Sequence, residues 1–96
     1  MMFDTEKTKK AYEELEESGL FDDRQLHVAK VFLQEDGWSG NVGLSPNKTG
    51  EMVGKDGKSI QTQCRNGRVM AYQTFHGYWL IPVKEIIRLR HKVLEG

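Results

Sequence analysis

Between Leu44 and Ile87 the chain is punctuated so densely by helix starts, helix stops and turn residues that few folds can accommodate it. Ser45-Pro46 is a helix start, because a serine hydroxyl can accept from a first-turn amide and proline lacks the amide that would otherwise be unpaired. A short helix from Pro46 to about Val53 should then stop at Gly54, which tolerates positive φ. Asp56 suits the amides of Lys58 and Ser59 as the next cap, so a second helix is expected from about Gly57 to Asn66. The run Arg68–Thr74 and the run Tyr78–Ile81 alternate or cluster apolar residues in strand fashion, and Phe75-His76-Gly77 between them predicts a two-stranded hairpin. Pro82 then fits the first turn of a last helix reaching about Leu94.

A chain of 96 residues can bury one modest core and not two. The expected organisation is therefore a single domain over 1–96, with an acidic helical region at 1–43 and the punctuated unit at 44–96. In the acidic region, Asp4 or Thr5 can cap a helix to about Ser18 whose narrow apolar stripe is Ala11, Tyr12 and Leu15, with Gly19 as its stop. Asp22 or Asp23 can cap a second helix to about Gln34, carrying Leu26, Ala29, Val31, Phe32 and Leu33 inward. Residues 35–43 read as a loop or a tight hairpin around Asp36-Gly37, with Trp38 as a lid over the core in preference to a base-stacking role. The fold class is mostly α with a small β-hairpin, α+β.

The formal net charge of zero hides opposite halves. Residues 1–43 hold five basic side chains against ten acidic ones, net −5; residues 44–96 hold nine against four, net +5. That division suits a C-terminal part that approaches a polyanion and an N-terminal part that stays clear of it. No run approaches the roughly 18 apolar residues of a membrane span, and the acidic start does not read as a signal peptide. A cytoplasmic location and no membrane partner are the expectations.

Catalysis is not expected, and neither is a cofactor or metal. Gly57-Lys58-Ser59 ends like a phosphate-binding loop, but the glycine that motif needs falls on Met52. His27, His76 and His91 form no spaced ligand pair. Cys64 has no second thiol to pair with, and its place four residues after Ile60 puts it on the apolar face of a helix as an inert thiol.

The other face of that helix carries the chemistry. Lys58, Gln61, Thr62 and Arg65 follow the helical spacing of neighbours, and none of them is acidic. Two cations can contact phosphates, while arginine and glutamine suit the major-groove edges of guanine and adenine. Ser59 flanks this stripe, Lys55 precedes it and Arg68 follows it. At the hairpin tip, Gln73, Thr74 and His76 are polar and small enough to follow a minor groove or a line of phosphates. Tyr72, Tyr78 and Trp79 are expected to pack beneath the hairpin, since a two-stranded hairpin needs a packed face. In the last helix, Ile86, Ile87, Leu89, Val93 and Leu94 are apolar, leaving open whether part of that surface meets a second copy.

The order Leu44-Ser45, Glu51-Met52-Val53-Gly54, Ile60, Arg65-Asn66-Gly67-Arg68, Ala71-Tyr72, Trp79, Ile81-Pro82 and Glu85-Ile86 resembles the winged helix-turn-helix of the MerR and phage-excisionase superfamily. The resemblance covers just under half the chain. It implies a winged helix-turn-helix over 44–87, here preceded by the two N-terminal helices, which are not part of the family's usual compact module, with the second helix of the motif in the major groove and the wing on the backbone or minor groove. The residues so implicated are Lys58, Gln61, Thr62, Arg65, Arg68 and Gln73. Thr49-Gly50 stands where the family has two small apolar residues, Lys55 replaces an apolar turn residue, and the hairpin is one residue longer. By propensity alone Gly50 weakens its helix by up to about 1 kcal/mol relative to alanine. The function implied is sequence-specific double-stranded DNA binding, by a small transcription regulator or an excisionase-type architectural factor, with a homodimer doubling the site read. The rival is a protein-interaction module, such as a phage- or plasmid-encoded inhibitor, whose acidic N-terminal face meets a basic partner.

Overall fold

The computed structural model describes residues 6–34, 43–74 and 76–95. Asp4 and Thr5, the 35–42 part of the expected loop with Trp38, and Phe75 of the hairpin turn lie outside the described residues. The order is α1 (Glu6–Glu17), α2 (Asp23–Leu33), β1 (Gly43–Leu44), α3 (Pro46–Val53), α4 (Gly57–Arg65), β2 (Tyr72–Gln73), β3 (Trp79–Pro82) and α5 (Val83–Glu95). The fold is mostly helical with a small antiparallel sheet, as expected. Among the described residues, no helix is long and apolar enough to cross a membrane.

Local chemistry sets most helix ends. Asp22 accepts from the Gln25 amide at 2.8 Å while Gln25 Oε1 accepts from the Asp22 amide at 3.0 Å, a reciprocal cap that starts α2. Ser45 Oγ accepts from the Lys48 amide at 3.2 Å, with Pro46 at the first helical position. Gly54 closes α3 at φ 84°, and Asp56 Oδ1 accepts from the Lys58 amide at 3.2 Å to open α4. The turn between α3 and α4 is thus bracketed by a left-handed glycine and an aspartate cap.

The last carbonyls of α3 are satisfied from elsewhere in the chain. Gln25 Nε2 donates to the Met52 carbonyl at 2.9 Å, and Arg90 donates from Nη1 to Val53 O at 3.4 Å and from Nε to Leu20 O at 3.2 Å. The Met52 and Val53 carbonyls, at the end of α3, are among those a helix leaves without a partner of its own. The side chains of α2 and α5 therefore clamp the end of α3.

Buried apolar residues from every helix and from the sheet make one cluster, with Leu15, Leu33, Met52, Ile60, Leu80 and Ile86 fully enclosed. Two helical side chains differ from expectation. Val31 is exposed, because it lies on the far side of α2 from Ala29, Phe32 and Leu33; Leu94 is exposed near the end of α5. On α1, Thr8 joins Ala11 and Leu15 in the buried face, and Tyr12 packs at its edge.

The sheet also differs. Instead of two strands there are three, in the order β1-β3-β2, with Leu44 opposite Ile81 and Tyr72 opposite Leu80. Gly43 lies so close to β3 that a Cβ there would sit 2.6 Å from the Ile81 carbonyl oxygen, so β1 needs glycine at this point. The first hairpin strand is shorter than the expected 68–74. Arg68 and Val69 donate their amides to Gln63 O at 2.9 and 3.2 Å, and Met70 donates to Glu85 Oε2 at 2.8 Å, so these amides are unavailable to a ladder. Pro82 ends β3 rather than opening α5, which begins at Val83.

Candidate nucleic-acid interface

Helix α4 buries Ile60 and Cys64 and turns Lys58, Gln61, Thr62 and Arg65 to solvent on one exposed face. Among the described residues, neither Lys58 nor Arg65 takes part in an ion pair. Lys58 sits in the first turn, where a helix presents partial positive charge and favours anions. A cation there adds nothing to helix stability, and it is placed to meet an anion from outside.

Not all the polar groups on this face are equally available. Thr62 Oγ1 donates to the Lys58 carbonyl at 3.0 Å, which leaves its oxygen as an acceptor. Ser59 lies round the helix toward Gln63 and accepts from Gln63 Nε2 at 3.3 Å. Gln61 and Arg65 have no such internal engagement among the described residues.

Gln61 also borders a groove whose other walls are Ser45, Pro46 and Asn47 at the start of α3 and Gly77, Tyr78 and Trp79 from the wing. The structure thereby brings the exposed face of α4, the N-terminus of α3 and the β2–β3 hairpin, the element that corresponds to the expected wing, to one surface. Tyr78 was expected beneath the hairpin and is instead 60% exposed, whereas Tyr72 and Trp79 pack against the core. Tyr78 lies in the turn before β3, outside the strand whose Leu80 and Ile81 are buried. Asn47 carries no sequence signal as a site residue, and Tyr78 reads from sequence as packing beneath the hairpin in preference to stacking on bases; the meeting of α3, α4 and the hairpin places both beside Gln61.

The wing tip is held by its own polar residues. Thr74 N donates to Tyr78 O at 2.8 Å, Tyr78 N donates to Thr74 Oγ1 at 3.2 Å, and Gln73 Nε2 donates to Gly77 O at 3.3 Å. Gly77 takes φ 84°, which permits the turn. Gln73 and Thr74 therefore stiffen the hairpin, Thr74 being half-buried, while His76 is exposed at the tip.

The wing's root is anchored by a buried carboxylate. Glu85, 7% exposed, accepts from Arg88 Nε and Nη2, both at 2.6 Å, and from the Met70 amide at 2.8 Å. The Arg88 guanidinium, helped by the Met70 amide, outweighs burial and holds the Glu85 carboxyl below its ordinary range. This network ties the segment between α4 and β2 to α5. Nearby, burial and then the Glu85 charge push the Cys64 thiol up, keeping it protonated and unreactive.

Lys55 and Arg68 line a cleft with Gln63, Arg88, Leu89 and Lys92, and Arg68 and Arg88 also border Met70, Ala71 and Trp79 at the root of the hairpin. The candidate residues thus divide between the exposed face of α4, the wing tip and this cleft. Compared with models of known families, with curated proteins and with solved structures, the chain finds no match in any of the three.

Proposed function

We propose that the protein binds double-stranded DNA, with α4 in the major groove and the wing along the backbone or minor groove, as a small transcription regulator or architectural factor of the MerR and excisionase kind. The observation that carries this reading is the exposed, acid-free face of Lys58, Gln61, Thr62 and Arg65 beside the wing. Lys58 and Arg65, with Lys55 and Arg68, supply salt-sensitive phosphate contacts, and Gln61 with Thr62 and Arg65 reads base edges. A second copy joined through the exposed end of α5 at Leu94 would double the site read.

Titration against random-sequence duplex at two salt concentrations tests the reading. Binding at low salt should weaken steeply as salt rises, and replacing Lys58 and Arg65 together by Ala should remove most of it. Failure of the wild-type protein to bind duplex at low salt would refute it. A second reading, a protein-interaction module, draws on the acidic surface of α1, where Glu13, Glu16 and Glu17 are exposed and unpaired among the described residues. That reading requires a basic partner and no duplex binding, so the same titration separates the two.

A further inference from the structure

A cleft between α4 and α5 gathers four cationic side chains outside the exposed face of α4. Lys55, Arg68, Arg88 and Lys92 line it, and no acidic residue does. Two independent observations distinguish it from a set of solvated cations. The first is that Arg88 is already fixed. Its Nε and Nη2 donate to the buried Glu85 carboxylate, yet its side chain remains 44% exposed, and the N–H groups on Nη1 are not used in that pairing. A guanidinium oriented before a ligand arrives loses little conformational freedom when one binds.

The second observation is the layout. Lys55 precedes α4 and Arg68 follows it, and α4 has nine residues, so the two mark the ends of a helix about 13 Å long. Arg88 and Lys92 face them from α5. Cations spread over such a length suit a strand of linked phosphates better than one isolated anion. Among the described residues, Lys55, Arg68 and Lys92 take part in no ion pair that would have to be broken.

We infer that this cleft is a second phosphate-binding site, in which Arg88 and Lys92 of α5 join Lys55 and Arg68 in gripping the sugar-phosphate backbone of the same duplex that α4 reads. The inference rests on the DNA-binding reading and adds α5 to it. Backbone contacts from this cleft add to those made by the exposed face of α4. They carry no base specificity, because phosphates are the same at every sequence.

The test is the salt dependence of binding to a short random-sequence duplex, measured for the wild type, for Lys55→Ala with Lys92→Ala, and for Lys10→Ala on α1 as a control. Each lost phosphate contact lowers the slope of log K against log salt by about 0.9, so the double variant should lose about 1.8 while Lys10→Ala loses nothing. The preference for a selected sequence over random duplex should be the same in wild type and double variant. Arg88→Gln should also flatten the slope, and thermal unfolding of each variant confirms that the fold is retained. A steep wild-type slope matched by the double variant overturns the cleft inference and removes Lys55 from the phosphate contacts, and leaves the reading of α4 through Lys58, Gln61, Thr62 and Arg65 intact. A wild type that fails to bind duplex overturns both.

Discussion

Helix propensity by itself says that Gly50→Ala should stabilise α3 by about 1 kcal/mol. The tertiary structure reverses the sign. A Cβ at Gly50 would press against the Lys55 carbonyl oxygen, inside contact distance, and would sit 3.1 Å from the Gly57 amide nitrogen. Both are backbone atoms, so no side-chain rotation relieves the clash; the turn itself must retreat. That retreat strains the Gly54 and Lys55 amides, which donate to the Gly50 carbonyl at 2.8 and 2.9 Å. Overpacking costs about 1–3 kcal/mol, and weakening one of the two hydrogen bonds adds about 1 kcal/mol. Against the propensity gain, the net loss is about 1–3 kcal/mol, or roughly 5–20 °C in Tm for a domain of this size. Thermal and urea unfolding followed by circular dichroism measure it. A Gly50→Ala variant with unchanged or higher Tm would mean that the α3–α4 turn is not closely packed, and the reasoning would be wrong.

Further expectations concern the core, the wing root and the reading face. Thr49 is fully buried and its Oγ1 has no hydrogen-bond partner among the described residues, so Thr49→Val should raise stability by about 1 kcal/mol in urea unfolding; a loss would reveal a partner. Because Arg88 and the Met70 amide hold the Glu85 carboxyl low, its contribution is present above the unfolded value of about 4.3 and is lost as pH falls through the lower folded value. The Tm advantage of wild type over Glu85→Gln should therefore shrink on acidification, and a gap constant with pH would count against the pairing. Gln61→Ala should change which sequences are selected from a random duplex pool while leaving the salt slope unaltered, because it removes a base contact and no phosphate contact; a changed slope with the same selected sequences would contradict that role.

Four helix boundaries were legible without any tertiary information. Asp22, Ser45-Pro46, Gly54 and Asp56 act on amides and carbonyls within a turn of themselves, so their effect depends on nearest neighbours in the chain. The same locality made the faces of α4 readable, since 3.6-residue periodicity puts Ile60 and Cys64 on one side and Lys58, Gln61, Thr62 and Arg65 on another. Strand β1 was not legible, because two residues have no period and Gly43-Leu44 becomes a strand only by meeting Ile81 and Pro82. The shortened first hairpin strand has a like cause: the amide of Met70 is taken by Glu85, fifteen residues away.

Between Leu44 and Ile87, then, the sequence by itself determined the order of the helices and the hairpin and which side of α4 is polar. The tertiary structure decided how they meet. It made Gly50 a necessity where propensity counts it a weakness, brought Asn47 and Tyr78 beside Gln61, and gathered Lys55, Arg68, Arg88 and Lys92 into one cleft. Caps and periodicity act over a few residues of chain, while close backbone approach and the convergence of charges depend on the packing of elements distant in sequence.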